Sequence, residues 1–123
     1  MKEWRRASER LKNATEEVKI GIVGKYFKTG DFVLSDVYIS VIESLKHSAG
    51  KLNKKLKITW LDSGDYEEKN SNLKFLKKFD GILVPGGFGD RGVVGIKKVI
   101  KFARENKITY FGLCYGIQLA VVE

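Results

Sequence analysis

The chain has 123 residues, of which 43% are hydrophobic and 11% aromatic, a composition that excludes a disordered protein and fits one globular domain. A single cysteine excludes an internal disulfide, and the lack of an apolar run of about 18 residues argues against a transmembrane helix. The charged residues 1–13 lack the apolar centre of a secretory signal, so we expect a soluble, cytoplasmic protein with no membrane partner.

The net charge of +8 is compatible with an anionic partner such as a nucleotide or a nucleic acid. No glycine-aromatic RNA-binding motif, zinc-finger spacing or basic arm accompanies this charge in the sequence. We therefore predict a solvated basic surface and no nucleic-acid partner. The basic residues concerned lie on predicted helix faces or in loops: Lys51, Lys54, Lys55, Lys97, Lys98, Lys101 and Arg104.

The N-terminal residues 1–17 are predicted to form a polar linker helix. Trp4 and Leu11 are the only large apolar side chains between residues 3 and 14. The β-branched run at residues 18–24 (VKIGIVG) ends in glycine, which is typical of a buried parallel strand. A loop up to Leu34 follows this strand.

The middle of the chain predicts a helix, a strand and a shorter helix. Ser35 or Asp36 can cap the first helix, which extends to Leu52 with apolar residues at helical spacing. Residues 57–62 (KITWLD) form the second predicted strand. After a polar loop, residues 73–79 predict a short helix with its leucines facing inward.

The last part of the chain contains two predicted strands, each followed by a turn that contains glycine. Since strands and helices alternate, we predict an α/β fold with a parallel sheet and helices on both faces. Ligands of such sheets bind beyond the carboxyl ends of the strands, so the two turns should face one another across one site. The elements are a strand (80–84), a turn (85–89), a helix (92–106), a strand (108–113), a turn (114–116) and a final helix (117–123).

The second turn carries the chain's one cysteine in the sequence Gly112-Leu113-Cys114-Tyr115-Gly116. This G-x-C-x-G segment has the layout of the G-x-S-x-G nucleophile elbow, in which a strand turns sharply into a helix. The turn is too tight for side chains beside the nucleophile, and the sulfur comes to lie where the helix dipole favours negative charge. We predict that Cys114 is a catalytic nucleophile rather than a buried structural thiol.

The first turn, Pro85-Gly86-Gly87-Phe88-Gly89, exposes backbone N–H groups after a strand. Pointed at the elbow, these groups can stabilise the oxyanion of a tetrahedral intermediate together with the N–H of Tyr115. A structural turn and a phosphate cradle are the alternatives. The spacing does not match the phosphate-binding G-x-G-x-x-G fingerprint, because Arg91 and Gly92 follow the turn.

A thiolate nucleophile needs a general base, which is usually histidine. The chain has one histidine, His47, in the middle of the helix that follows the first strand. Nothing in this topology directs His47 toward the strand ends, so we predict a surface or packing residue. The base is therefore expected to lie outside the chain.

These motifs resemble those of the class I glutamine amidotransferases. The similarity covers about residues 4–123, and its most specific parts are VPGGFGDRG (84–92) and GLCYGIQLAVVE (112–123), with IVGKY (22–26) and WLDSGD (60–65) in support. The resemblance implies a flavodoxin-like fold, glutamine as substrate and a cysteinyl thioester. It assigns Cys114 as the nucleophile, the N–H groups of Gly87 and Tyr115 to the oxyanion, and Gly87, Phe88 and Gln118 to glutamine binding.

The resemblance is strongest to members that also carry an amidoligase domain. In those members ammonia is used for the ATP- and magnesium-dependent amination of UTP, with GTP as effector, in a homo-oligomer. The resemblance implies that residues 18–123 are an incomplete amidotransferase domain, with the amidoligase domain before residue 1 and the triad's His and Glu after residue 123. The 123 residues alone are then expected to have no meaningful glutaminase activity, and we predict no metal or cofactor bound to them.

Two departures from the family pattern lie beside the elbow. Tyr115 stands where leucine is usual and is expected to contribute only its backbone, and Ile117 stands where methionine is common. The residues themselves leave two alternatives open, namely another hydrolase with a cysteine elbow and a non-catalytic flavodoxin-like binding module.

Overall fold

The structure, a computed structural model, describes residues 2–25, 38–87 and 89–123. Its described elements alternate between strands and helices, as predicted. They are α1 (Lys2–Asn13), β1 (Glu16–Gly24), α2 (Ile39–Lys51), β2 (Lys54–Asp62), two 3-10 helices (Ser63–Tyr66 and Leu73–Lys78), β3 (Gly81–Val84), α3 (Val93–Glu105), β4 (Thr109–Gly112) and α4 (Tyr115–Val122).

The four strands form one parallel sheet in the order β2-β1-β3-β4. The register brings the strand ends level, since Gly24 pairs with Asp62 and Val84 pairs with Gly112. The segments that follow these strands therefore emerge at the same edge of the sheet. The predicted parallel α/β fold is confirmed, and this edge is where such sheets bind ligands.

Helices cover both faces of the sheet because successive strand side chains point to opposite sides. Ile22 and Leu83 pack on the side of α2 with Val41 and Leu45. Their sequence neighbours point the other way into a larger core beneath the 3-10 helices, α3 and α4. That core is built from Val23, Leu61, Tyr66, Leu76, Phe79, Ile82, Val84, Ile96, Val99, Ile100 and Leu119.

Several boundaries differ from the predictions. The first two strands begin earlier, at Glu16 and Lys54, because the parallel ladder continues to this pair and the two side chains form an ion pair. Consequently the end of the predicted linker, residues 16–17, belongs to β1. The predicted helix at 73–79 is a 3-10 helix, Leu73–Lys78.

Helix α2 begins at Ile39 in the described part of the chain, and the predicted capping residues Ser35 and Asp36 lie outside it. Helix α1 contacts α2 and leaves Trp4 79% exposed. Within the described ranges, every helix is too short or too polar to cross a lipid bilayer.

Candidate active site

The centre of the candidate site is Cys114, which joins β4 to α4. Its φ of 50° and ψ of −106° are unusual for a residue that is not glycine, and such a backbone costs about 1–3 kcal/mol. The side chain is exposed. Helix α4 begins at Tyr115 rather than at Ile117 as predicted, so Cys114 occupies the position directly before the helix. A strained turn that presents an exposed thiol is the geometry expected of a nucleophile elbow.

Both glycines of the elbow are required by close backbone contacts. A Cβ atom on Gly116 would lie 2.2 Å from the carbonyl oxygen of Val84, at the end of the neighbouring strand. A Cβ atom on Gly112 would lie 2.6 Å from the backbone of Gly116 and Ile117. A side chain at either of these positions, two residues before or after Cys114, would therefore clash with backbone, as the prediction of a tight turn requires.

A tyrosine hydroxyl also forms a hydrogen bond to the elbow. The sequence motifs did not predict this contact. The Tyr110 hydroxyl donates a hydrogen bond to the carbonyl oxygen of Gly116 across 2.7 Å. Burial raises the pKa of Tyr110 to about 12, because the phenolate would be poorly solvated there. The only sequence signal for this contact is an aromatic residue two positions before Gly112, on the strand that leads into the elbow.

Replacing Tyr110 with phenylalanine is expected to lower the free energy of unfolding at pH 7 by about 1 kcal/mol, the usual contribution of one hydrogen bond. The stabilisation should be complete below about pH 10, where tyrosine is protonated in both states. It should be lost as the pH rises toward the raised pKa of about 12. Urea unfolding at pH 7 and pH 11 checks this: the two proteins should differ less at the higher pH, and an unchanged difference would contradict the assignment.

The turn after β3 faces the elbow, as predicted. The N–H of Leu113 donates to the carbonyl oxygen of Val84 at 2.9 Å, which joins the starts of the two turns. A Cβ atom on Gly86 would lie 3.7 Å from Cβ of Cys114, and one on Gly87 would lie 3.9 Å from the ring of Tyr115. A side chain at Gly86 or Gly87 would therefore touch the elbow, which shows how closely the glycine-rich turn approaches it.

Gln118 lies one helical turn after the nucleophile, and its backbone N–H donates to the carbonyl oxygen of Cys114 at 3.2 Å. Its side chain is exposed. Residues four apart share one face of a helix, so Gln118 and the elbow are neighbours on the surface. The structure thus brings together Gly87, Cys114, Tyr115 and Gln118, whereas Phe88 lies outside the described residues.

His47 is exposed on α2, consistent with a surface residue. Across residues 2–25, 38–87 and 89–123 no group of three or more His, Cys, Asp or Glu side chains is arranged to hold a metal ion.

The contact between Lys25 and Gly89 was not predicted from the sequence. Lys25 follows β1 and is only 6% exposed, and its ammonium group donates a hydrogen bond to the carbonyl oxygen of Gly89. The Tyr115 hydroxyl donates to the same oxygen at 2.9 Å. The position of Lys25 at the carboxyl end of a central strand was the one available signal, since this is where site residues of parallel sheets lie.

Residues 33–123 match the family described as Glutamine amidotransferase class-I. The chain belongs to the class-I glutamine amidotransferase family. Over its full length it is also similar to CTP synthases, with 48% identity over 123 residues to that of Buchnera aphidicola and 50% over 123 residues to that of Carboxydothermus hydrogenoformans. The chain spans only about a fifth of these relatives, 21% and 22% of their lengths.

A solved structure is similar as well. The glutaminase domain of Trypanosoma brucei CTPS with bound acivicin has a TM-score of 0.75 and 41% sequence identity to the chain. The similarity covers 85% of this chain and 39% of that one. The predicted resemblance to class I glutamine amidotransferases is confirmed, and the relatives named above are CTP synthases.

Proposed function

We propose that this site releases ammonia from glutamine, with Cys114 as the nucleophile. The observation that carries the proposal is the exposed thiol on a strained elbow, with the glycine-rich turn 85–87 against it, in a chain of this family. The family assignment favours glutamine over the substrate of another cysteine-elbow hydrolase. It also favours catalysis over a purely binding role.

The reaction follows from the groups at the elbow. The sulfur of Cys114 attacks the carboxamide carbon of glutamine, and the C=O electron pair moves onto oxygen. The N–H groups of Gly87 and Tyr115 stabilise this oxyanion, and losing one such donor typically costs about 10²–10³-fold in rate. When the C–N bond breaks, the nitrogen takes a proton and leaves as ammonia. Water then hydrolyses the thioester, which yields glutamate and the free thiol.

The proton transfers require a general base that the described residues do not supply. His47 is exposed on α2, so we assign it no part in the reaction. The matched relatives are much longer than the chain, which spans 21–22% of them. We propose that a histidine, oriented by a glutamate, comes from sequence outside the matched segment. For substrate binding, Phe88 and Gln118 are the proposed contacts with glutamine, beside Gly87.

The fate of the ammonia is proposed from the relatives that the chain resembles. In the whole protein it would pass to an amidoligase domain that uses ATP and magnesium to convert UTP to CTP, with GTP as effector. A homo-oligomer and a cytoplasmic location belong to the same proposal, as does a linker role for residues 1–17. ATP and magnesium are assigned to the amidoligase domain and not to the described residues.

Labelling with acivicin tests the proposal. Acivicin is bound in the similar Trypanosoma brucei glutaminase domain, and we expect it to modify Cys114 of the protein as its gene encodes it, at one group per chain. Glutamine should slow the labelling by competition, and peptide mapping by mass spectrometry locates the adduct. The Cys114→Ser variant serves as the unlabelled control.

Iodoacetamide separates the alternatives in the same assay. Alkylation of Cys114 by iodoacetamide without labelling by acivicin would indicate a reactive thiol that lacks a glutamine pocket, as in another hydrolase. Acivicin labelling that glutamine does not slow would also contradict the proposal. A folded protein that reacts with neither reagent would support the non-catalytic module.

A further inference from the structure

We propose that the side chain of Tyr115 is a positioning residue, which fixes the glycine-rich turn against the elbow through the carbonyl of Gly89. This inference rests on the proposed function and goes beyond the backbone role expected for Tyr115. The Tyr115 hydroxyl donates to the Gly89 carbonyl oxygen at 2.9 Å. Its ring also lies 3.9 Å from the place where a Cβ atom of Gly87 would be. One side chain thus bonds to Gly89 and lies beside Gly87 of the same turn.

Lys25 completes the contact from a third segment of the chain. Its ammonium group donates to the same Gly89 oxygen and lies 4.4 Å from the centroid of the Tyr115 ring. A carbonyl oxygen has two lone pairs and can accept both bonds. The cation also favours the face of the ring, an interaction of about 0.5–2 kcal/mol. The end of β1, the turn after β3 and the start of α4 therefore meet at one carbonyl group.

The Gly89 backbone makes such a contact useful. Gly89 has φ of 75°, a left-handed conformation that glycine adopts without strain, and a Cβ atom built on it would meet none of the described residues within 4 Å, its chain neighbours aside. Packing around the α-carbon therefore does little to hold the turn at this point. Among the described contacts, the hydrogen bonds from Tyr115 and Lys25 oppose its movement.

The consequence concerns the distance between the two proposed oxyanion donors. One donor, the N–H of Gly87, belongs to the turn, and the other belongs to Tyr115 itself. The donors must lie within about 2.7–3.1 Å of the developing oxyanion, so small displacements of the turn weaken them. The Tyr115 side chain contacts the turn, so Tyr115 supplies one N–H donor and also fixes the position of the other, the N–H of Gly87. Loss of its hydroxyl should therefore affect the chemical step more than substrate binding.

Replacing Tyr115 with phenylalanine tests this, because the hydroxyl is lost while the ring beside Gly87 and Lys25 remains. We expect kcat for glutamine hydrolysis by the protein as its gene encodes it to fall about 3- to 10-fold, the effect of one lost hydrogen bond on the barrier. KM for glutamine should change less than about twofold. Hydrogen exchange should accelerate at the backbone amides of residues 86–92, with core strands unchanged.

Tyr66→Phe is the matched control, since it removes a phenol hydroxyl from a buried tyrosine in the core rather than at the site. The variant Lys25→Met should accelerate exchange in the same turn. Its effect on kcat should not add to that of Tyr115→Phe, because both side chains act on one carbonyl.

The proposal fails if Tyr115→Phe leaves both kcat and the exchange of residues 86–92 unchanged. It also fails if KM rises while kcat stays constant, which would indicate substrate binding, or if exchange rises throughout the core, which would indicate a general loss of stability. If the wild-type protein hydrolyses no glutamine, the proposed function fails instead. The hydrogen-exchange comparison then still decides whether Tyr115 holds the turn.

Discussion

Replacing Cys114 with serine is expected to lower ammonia release from glutamine by at least about 10³-fold in the protein as its gene encodes it. Serine has nearly the same size, so the elbow should keep its strained backbone. Its hydroxyl, however, stays protonated at neutral pH and is a much weaker nucleophile than a thiolate. A coupled glutamate assay measures the loss directly.

The same variant has an internal control. If Cys114 only supplies ammonia to a second domain, ammonium salts added to the solution should bypass the substitution, and formation of CTP from UTP and ATP should continue at close to the wild-type rate. A Cys114→Ser variant that retains more than about a tenth of the glutaminase rate would contradict the assignment of the nucleophile. Loss of both activities together would indicate a folding defect, to be checked by thermal unfolding.

A Gly116→Ala substitution is expected to give the second large effect, this time on stability. The new Cβ atom would meet the Val84 carbonyl oxygen at 2.2 Å, and both partners are backbone in regular structure. Neither can move without separating α4 from β3. We expect the free energy of unfolding to fall by about 2–3 kcal/mol, the range for overpacked sites, and glutaminase activity to fall with it.

Gly86→Ala is the matched control for that experiment. Its Cβ atom would lie 3.7 Å from Cβ of Cys114, an ordinary van der Waals contact. The urea midpoint of Gly86→Ala should therefore stay close to that of the wild type, with a difference below about 1 kcal/mol. Equal losses of stability in the two variants would show that the close contact between Gly116 and Val84 is not the cause.

The sheet and the elbow were predictable because their signals are local. The β-branched run at 18–24 indicates a buried strand, and the two glycines that flank Cys114 indicate a tight turn. Each of these signals lies within a few residues. The boundary errors have a physical origin as well. The strand β1 begins early at Glu16, because it pairs with Lys54 on the neighbouring strand, which no local pattern reveals.

The side-chain contacts around the elbow were not predictable in this way. Lys25 and Gly89 are 64 residues apart in sequence, and Tyr115 reaches Gly89 across 26 residues. These contacts depend on the strand order and on side-chain directions, which residue spacing does not determine. Tyr110 and Gly116 are only 6 residues apart in sequence, yet their hydrogen bond depends on how sharply the chain turns at the elbow. The roles of Gly87, Phe88 and Gln118 toward glutamine stay predictions.

The role of Cys114 as the nucleophile is tested most directly by trapping the covalent intermediate. The protein as its gene encodes it is mixed with glutamine, quenched in acid within one turnover, digested and analysed by mass spectrometry. We predict a γ-glutamyl group on the sulfur of Cys114, absent from the Cys114→Ser variant. If ammonia is released in a burst while the peptide that contains Cys114 stays unmodified, or if the group is found on another residue, Cys114 is not the nucleophile.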